Sequence, residues 1–354
     1  MTLDFPQHWP APVAPRPIVL IGAGGIVNDA HLPAYRMAGL PVAGITDIDT
    51  ARARETAARW TLSQIWPDVA AAVADHGTAA IYDIAVPPEA ITDILPALPD
   101  GATVLIQKPM GRTIDEARAI RALCRDKGLT AAVNFQLRFS PMFMAARQAI
   151  AAGVIGELLE IEVHLNIHTP WHLFPFLKGM DRVEMSVHSI HYLDTIRALV
   201  GNPQGVFART LPDPRAEGLA QTRTSAILDY GERLRCLMSI NHNHACGRRF
   251  QSAWFRLEGT EGAMMVKLGV LFDYPNGESD ELWLCRKGED WEQVPLTGSW
   301  FIEAFMGPMR NLQRVAAGED EALFSGVEDA FHTMALLEAC YRAASRPGEP
   351  LAAD

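Results

Sequence analysis

Ile18-Val19-Leu20-Ile21-Gly22-Ala23-Gly24-Gly25 is a short apolar, β-branched run that stops at a glycine turn. Such a run suits a strand buried on both faces of a parallel sheet. Ile26 to Ala38 then reads as a helix with Pro33 in its early turns, and Val42 to Ile45 as a second strand ending near Asp47. Strand, glycine turn, helix and strand make a βαβ unit. In that unit Gly22 and Gly24 let the backbone approach a pyrophosphate, the helix N-terminus offers unpaired N–H groups, and Asp47 has the reach for ribose hydroxyls. The candidate dinucleotide turn comprises Gly22, Gly24, Gly25, Ile26, Val27 and Asp47, against the alternative of a plain tight turn. Val27 stands where the motif has its third glycine, so helix and strand are expected to pack less closely there. Ile48 after Asp47 favours NAD over NADP, while Arg52 and Arg54 leave NADP open.

The alternation continues along the chain. A helix over Thr50–Trp60 is followed by a strand over Ile81–Val86 ending in Pro87-Pro88, and a helix over Glu89–Ala97 by a strand over Thr103–Ile106 ending in Gln107-Lys108-Pro109. A helix over Ile114–Lys127 and a strand over Leu129–Asn134 close the run. This is the pattern of a doubly wound parallel sheet, which binds ligands beyond the carboxyl ends of its strands, where Lys108 and Pro87 fall. A surface lysine is the bland alternative for Lys108. Before the first strand, residues 1–17 read as an extended arm with Pro6, Pro10, Pro12, Pro15 and Pro17, lying on the surface or on a neighbouring subunit.

Arg138-Phe139-Ser140-Pro141 interrupts the pattern, so domains are expected at 18–138 and 139–354. Strands over Leu158–Ile167, Gly205–Thr210, Arg223–Asp229, Leu234–Asn241, Ala253–Glu258 and Gly262–Lys267 then favour an antiparallel sheet. Asp181 to Gly201 carries helical periodicity. At about 100° per residue Asp181, Glu184, His188 and His191 share one stripe opposite Met185, Ile190, Leu193, Ile196 and Val200. Two histidines and an acid off the core face suit proton transfer near neutral pH, with a solvated polar face and metal ligation by Glu184, His188 and His191 as alternatives. Thr169-Pro170-Trp171-His172 is a candidate loop over a substrate, His168 lies at a strand end, and Asn241-His242-Asn243-His244 alternates across a strand.

Composition sets the limits. The 354 residues suffice for about two domains; 49% are hydrophobic and 21% charged, an ordinary globular balance. A net charge of −11 opposes nucleic-acid and anionic membrane partners. No apolar run suggests a signal peptide or a membrane span, and five scattered cysteines without a Cys-x-x-Cys pair point to a cytoplasmic, reducing compartment.

In order along the chain, Gly22-Ala23-Gly24-Gly25 with Asp47, Ala85-Val86-Pro87-Pro88, Gln107-Lys108-Pro109, Asn134-Phe135-Gln136-Leu137-Arg138 and Gly259-Thr260-Glu261-Gly262 resemble the motifs of the Gfo/Idh/MocA family. The resemblance implies an α/β Rossmann domain and an α+β C-terminal domain with an open, mostly antiparallel sheet, assembled as a homodimer or homotetramer. It implies NAD(P)-dependent redox chemistry on sugars, sugar acids or polyols, with Val86, Pro87, Gln107, Lys108 and Asn134 joining the cofactor site and no metal. Lys108 would hold the reacting hydroxyl and His191 act as acid/base, with His188 and Glu184 orienting or replacing it. Arg138, His168, Trp171, His172, His188 and His191 would join Lys108 around the substrate. Two departures stand out: Val187 occupies the family's Asp position before the histidine, and Gln107 replaces a Glu. They keep open a redox-neutral enzyme with retained NAD, or a non-catalytic nucleotide-dependent binding protein.

Overall fold

The computed structural model describes residues 5–274 and 276–351. The chain divides into two units: Pro6–Pro141 with Gly298–Met334, and Met142–Thr297 with Phe5 and the residues from Ala335 on.

In the first unit six strands form a parallel sheet in the order β3-β2-β1-β4-β5-β6: β1 (Ile18–Ile21), β2 (Val42–Thr46), β3 (Gln64–Ile65), β4 (Ile81–Ile84), β5 (Thr103–Ile106) and β6 (Thr130–Val133). β1, β4 and β5 are buried at every position, as suits central strands of a parallel sheet, and β4 carries Asp83 inside. The helices between them are α1 (Leu32–Ala38), α2 (Thr50–Trp60), α3 (Val69–His76), α4 (Ile91–Ile94) and α5 (Ile114–Asp126). Register brings the strand ends into line: Ile21 pairs with Thr46 and Ile84, Ile84 with Ile106, and Ile106 with Val133. Gly22, Asp47, Ala85, Gln107 and Asn134 therefore fall in one row.

The arm lies on this same unit. Trp9 donates to Asp320 (2.7 Å) and packs on Phe139 and Phe324, while Arg16 and Gln313 exchange backbone and amide bonds. Residues 1–4 of the arm and 352–354 of the second domain lie outside the described residues. The units divide at Pro141, and Gly298–Met334 returns to the first unit, which differs from a continuous 139–354 domain. The cause is the helix Met306–Ala316, whose Met306, Met309 and Leu312 join Ile18, Leu20 and Leu105 in one core. Nothing in an amphipathic helix's own sequence names the sheet it will cover.

The second unit holds eight strands in the order β14-β13-β12-β11-β7-β10-β9-β8. They are β7 (Leu158–Asn166), β8 (Gly205–Leu211), β9 (Arg223–Asp229), β10 (Arg235–Asn241), β11 (Ser252–Gly259), β12 (Gly262–Lys267), β13 (Glu281–Arg286) and β14 (Glu292–Val294). The pairing is antiparallel except between β7 and β10, which run parallel, so the sheet is mixed rather than purely antiparallel. Helices α6 (Pro141–Ala151) and α7 (Ile190–Val200) cover one face, where Phe255 meets Phe143 and Tyr192 at ring distances of 4.8 and 5.8 Å. No helix among the described residues is long and apolar enough to cross a membrane.

Candidate functional site

Gly22 has φ of 108°, and a Cβ there would stand 2.4 Å from the Ala85 carbonyl oxygen, so only glycine lets the ends of β1 and β4 meet. A Cβ on Gly24 would meet nothing within 4 Å. The turn is thus closed toward the sheet and open beyond it, the shape a pyrophosphate needs. The Asp47 carboxylate accepts from the backbone N–H of Ala23 (2.7 Å) and of Asp49 (2.7 Å), tying the turn to the end of β2. A carboxylate has about four acceptor sites, which leaves capacity for ribose hydroxyls. Val27 is fully buried, and its helix opens with a π turn over Val27–His31. Asn28, which no motif marks, braces the whole turn: its amide donates to the carbonyls of Ala23 and Gly24 and to Thr56, and accepts from Trp60.

At the end of β5 the Gln107 side chain accepts from the Lys108 backbone N–H (3.0 Å), and the Lys108–Pro109 peptide bond is cis. Burial lowers the Lys108 ammonium pKa to about 8, although the residue as a whole keeps part of its surface exposed. Behind the row of strand ends lies a buried polar network. His31 Nδ1 is 2.7 Å from Asp83, Tyr35 donates to the same carboxylate oxygen (2.6 Å), and the Asn134 amide is 3.3 Å from His31 Nε2. Burial and the Asp83 charge raise the Tyr35 hydroxyl well above its ordinary value. Asn134 is therefore engaged inside the unit, where the family resemblance implied a cofactor contact. Arg138 is engaged as well: it is 3% exposed, pairs with Asp329 at 2.8 Å and donates to the Phe324 carbonyl, which suits a brace better than the expected substrate contact.

In the second unit the helix beginning at Glu184 contains a π turn over Met185–Ser189. That turn takes up an extra residue and so rotates the later residues of the helix by about 100° relative to Glu184. The expected single stripe is broken: Asp181 is exposed, Glu184 fully buried, His188 half-buried and His191 5% exposed. Glu184 accepts from Ser189, five residues on (2.6 Å), and from Thr224 of β9. His242 Nε2 lies 3.4 Å from Glu184, and its Nδ1 is 2.8 Å from the Thr169 hydroxyl. The His242 ring stands 4.5 Å from that of His188, and Trp171 packs against both while donating to Asn243 (2.8 Å). The structure thus joins Glu184, His188 and Trp171 into one cluster and leaves His168 and His172 exposed. Among the described residues no group of three His, Cys, Asp or Glu is placed to hold a metal ion.

Residues 16–135 match the family model described as the NAD-binding Rossmann fold of Gfo/Idh/MocA oxidoreductases, and residues 147–351 match its C-terminal alpha/beta domain. The chain belongs to the Gfo/Idh/MocA oxidoreductase family. This Gfo/Idh/MocA protein is similar to the 1,5-anhydro-D-fructose reductase of Ensifer adhaerens, 24% identical over 312 residues covering 85% of this chain and 90% of the relative. It is similar to the D-apiose dehydrogenase of Rhizobium rhizogenes, 23% identical over 342 residues covering 92% and 94%. An oxidoreductase from Agrobacterium radiobacter, solved with NAD+, L-tartaric acid and magnesium, shares the fold with a TM-score of 0.78 at 19% identity, over 94% of this chain and 97% of that one.

The first unit of this Gfo/Idh/MocA protein is its NAD-binding domain, and the glycine turn with Asp47 fits the dinucleotide. Thr224 carries no motif that marks it, whereas Thr169 lies in the candidate substrate loop and His242 and Asn243 in the Asn241–His244 stretch. In Asn241-His242-Asn243-His244 the strand stops at Asn241, so the expected alternation does not hold: His242 and Asn243 are both buried, while Asn241 and His244 bond Asn166.

Proposed function

We propose that this oxidoreductase oxidises a hydroxyl of a sugar, sugar acid or polyol with NAD as the preferred acceptor. The observation that carries the reading is Lys108: an ammonium with a pKa of about 8, at the end of a buried strand in the row that begins with the glycine turn. Bound nicotinamide supplies the hydride acceptor. Lys108 donates to the reacting oxygen and polarises it, and His191, at the family's histidine position, takes the hydroxyl proton, with His188 and Glu184 supporting it. The substrate class is supported by relatives named as dehydrogenases or reductases of apiose and anhydrofructose. NAD is supported by Asp47, whose charge opposes a 2′-phosphate, and by Arg52, which is engaged with Asp49 at 3.3 Å. Incubation with a panel of aldoses, sugar acids and polyols and either nucleotide tests it. Growth of reduced-nicotinamide absorbance with a panel member, lost in Lys108→Ala, is expected; no absorbance change with any member would reject the reading.

The same proposal includes a homodimer or homotetramer in the cytoplasm, acting on small molecules rather than nucleic acid. Support for assembly comes from the uncovered face of the eight-stranded sheet, where Phe207, Ile227 and Leu237 stand in register across β8, β9 and β10, Phe207 being 69% exposed. Support for a reducing compartment comes from five free cysteines, and for small-molecule substrates from the net charge of −11. Sedimentation of the wild type and of Phe207→Glu/Ile227→Lys tests the assembly: an oligomer that the double variant dissociates is expected, and a monomeric wild type would reject it.

A further inference from the structure

Glu184 poses an electrostatic problem that the fold must solve. Its carboxylate is fully buried, and the hydroxyls of Ser189 and Thr224 are neutral donors. Titratable groups that feel its charge include Tyr192 of α7 and Cys340 and Tyr341 of the helix Val327–Ala344. Burial raises all three and the Glu184 charge adds to it, with a hydrogen bond from Ser186 opposing it at Tyr341; the Cys340 thiol is raised to about 12, so all three stay neutral and compensate nothing. Arg182, stacked on Tyr341, is held by Glu338 at 2.6 Å. Thr169, Trp171 and Asn243, which close the cluster from the other side, carry no charge. A buried carboxylate is tolerated when a cation pairs with it. A basic group in reach is the His242 imidazole, whose Nε2 lies 3.4 Å from the carboxylate.

We propose that Glu184 and His242 form a buried ion pair that seats His188 and keeps its imidazole neutral, so that His188 is a proton acceptor of the site in addition to His191. Two imidazoles whose rings stand 4.5 Å apart do not both carry charge cheaply, so a proton held on His242 by Glu184 disfavours one on His188. His188 is the half-buried member, and Trp171 packs on its ring and fixes it. The inference rests on the proposed dehydrogenase chemistry. As the alcohol is oxidised its C–H bond breaks, the hydride carries the electron pair to nicotinamide, the C=O bond forms, and the hydroxyl proton passes to a neutral imidazole. Glu184 and His242 touch none of the reacting atoms. They are positioning residues.

The test is ring 15N NMR of histidine-labelled, NAD-loaded protein, with His188 and His242 assigned through His188→Asn and His242→Asn. Near neutral pH both ring nitrogens of His242 should be protonated and His188 neutral. Glu184→Gln should leave His242 neutral and raise the titration midpoint of His188 by about one pH unit or more, whereas Glu184→Asp, which keeps the charge, should retain the wild-type pattern. The acid limb of kcat/KM should move with His188. If Glu184→Gln does not fold, His242→Asn serves, because loss of the neighbouring cation should raise the His188 midpoint in the same direction. A neutral His242 in the wild type, or rings unchanged by Glu184→Gln, would overturn the proposal. The ring states are read without substrate. Ring states as expected with no sugar or polyol turned over would reject the dehydrogenase reading alone.

Discussion

Each unit buries a histidine against a carboxylate, and the two pairs are built differently. His31 and Asp83 meet at 2.7 Å, with Tyr35 and Asn134 completing the network among side chains of the apolar core. His242 and Glu184 stand 3.4 Å apart, surrounded by hydroxyls, and the tilted ring contact leads outward to the half-buried His188. The first pair is closed on itself and joins the π turn of the nucleotide helix to β4 and β6. The second opens onto a titratable neighbour. The same two residue types thus make a brace in one place and a setting for proton chemistry in the other, and what decides is the next polar group along the chain of contacts.

The largest effect should come from breaking the brace. Asp83→Ala strands His31 in the core and should lower the unfolding free energy by about 3–5 kcal/mol, read by urea titration. A loss under about 1 kcal/mol would mean that the closed pair braces nothing.

Lys108 is a third buried charge and sharpens the contrast. Lys108→Met should reduce kcat/KM by about 10²–10⁴ while stabilising the protein by up to about 3 kcal/mol near neutral pH. The folded pKa of about 8 lies below the ordinary 10.5, so the unfolded chain binds the proton more tightly. The cost of this lysine is complete below pH 8 and is relieved as pH rises toward about 10.5, so the melting temperatures of wild type and variant should converge across that window. Parallel melting curves across it would contradict the burial account.

Glu184→Gln should cost less than Asp83→Ala, about 1–2 kcal/mol, because the amide carbonyl retains one hydroxyl donor. If it destabilises as much as Asp83→Ala, the second pair is a brace too and the comparison collapses. Asp47→Asn should weaken NAD binding about threefold, or about 0.7 kcal/mol, by isothermal titration, with less effect on NADP. Equal losses for both nucleotides would remove the specificity role of Asp47.

The first unit was legible because its strands are local apolar runs and its site residues sit just past strand ends, so Gly22, Asp47 and Lys108 could be located by counting. Asn28 and the π turn were not, since a widened turn depends on how Val27 meets the core. The second unit hid more. Its six expected strands are present, and β13 and β14 add to them, but the parallel pairing of β7 with β10 is a long-range choice that no segment encodes by itself. Glu184 and His188 were found by periodicity, yet at 100° per residue they lie on one stripe with His191, and the π turn separates them. His242 lies 58 residues from Glu184 in sequence and reaches it through tertiary packing. The return of Gly298–Met334 to the first unit was hidden for the same reason.

Hydride transfer to NAD from a hydroxyl-bearing carbon leaves an isotopic signature in both products. A sugar, sugar acid or polyol from the panel, deuterated at carbon, is incubated with the protein and NAD, and both products are analysed by mass spectrometry. The account predicts one deuterium in the reduced nicotinamide for each molecule of ketone or lactone formed, with the yield abolished in Lys108→Ala. Deuterium returned to a product at its original oxidation level, with NAD regenerated, would contradict it and establish redox-neutral chemistry instead.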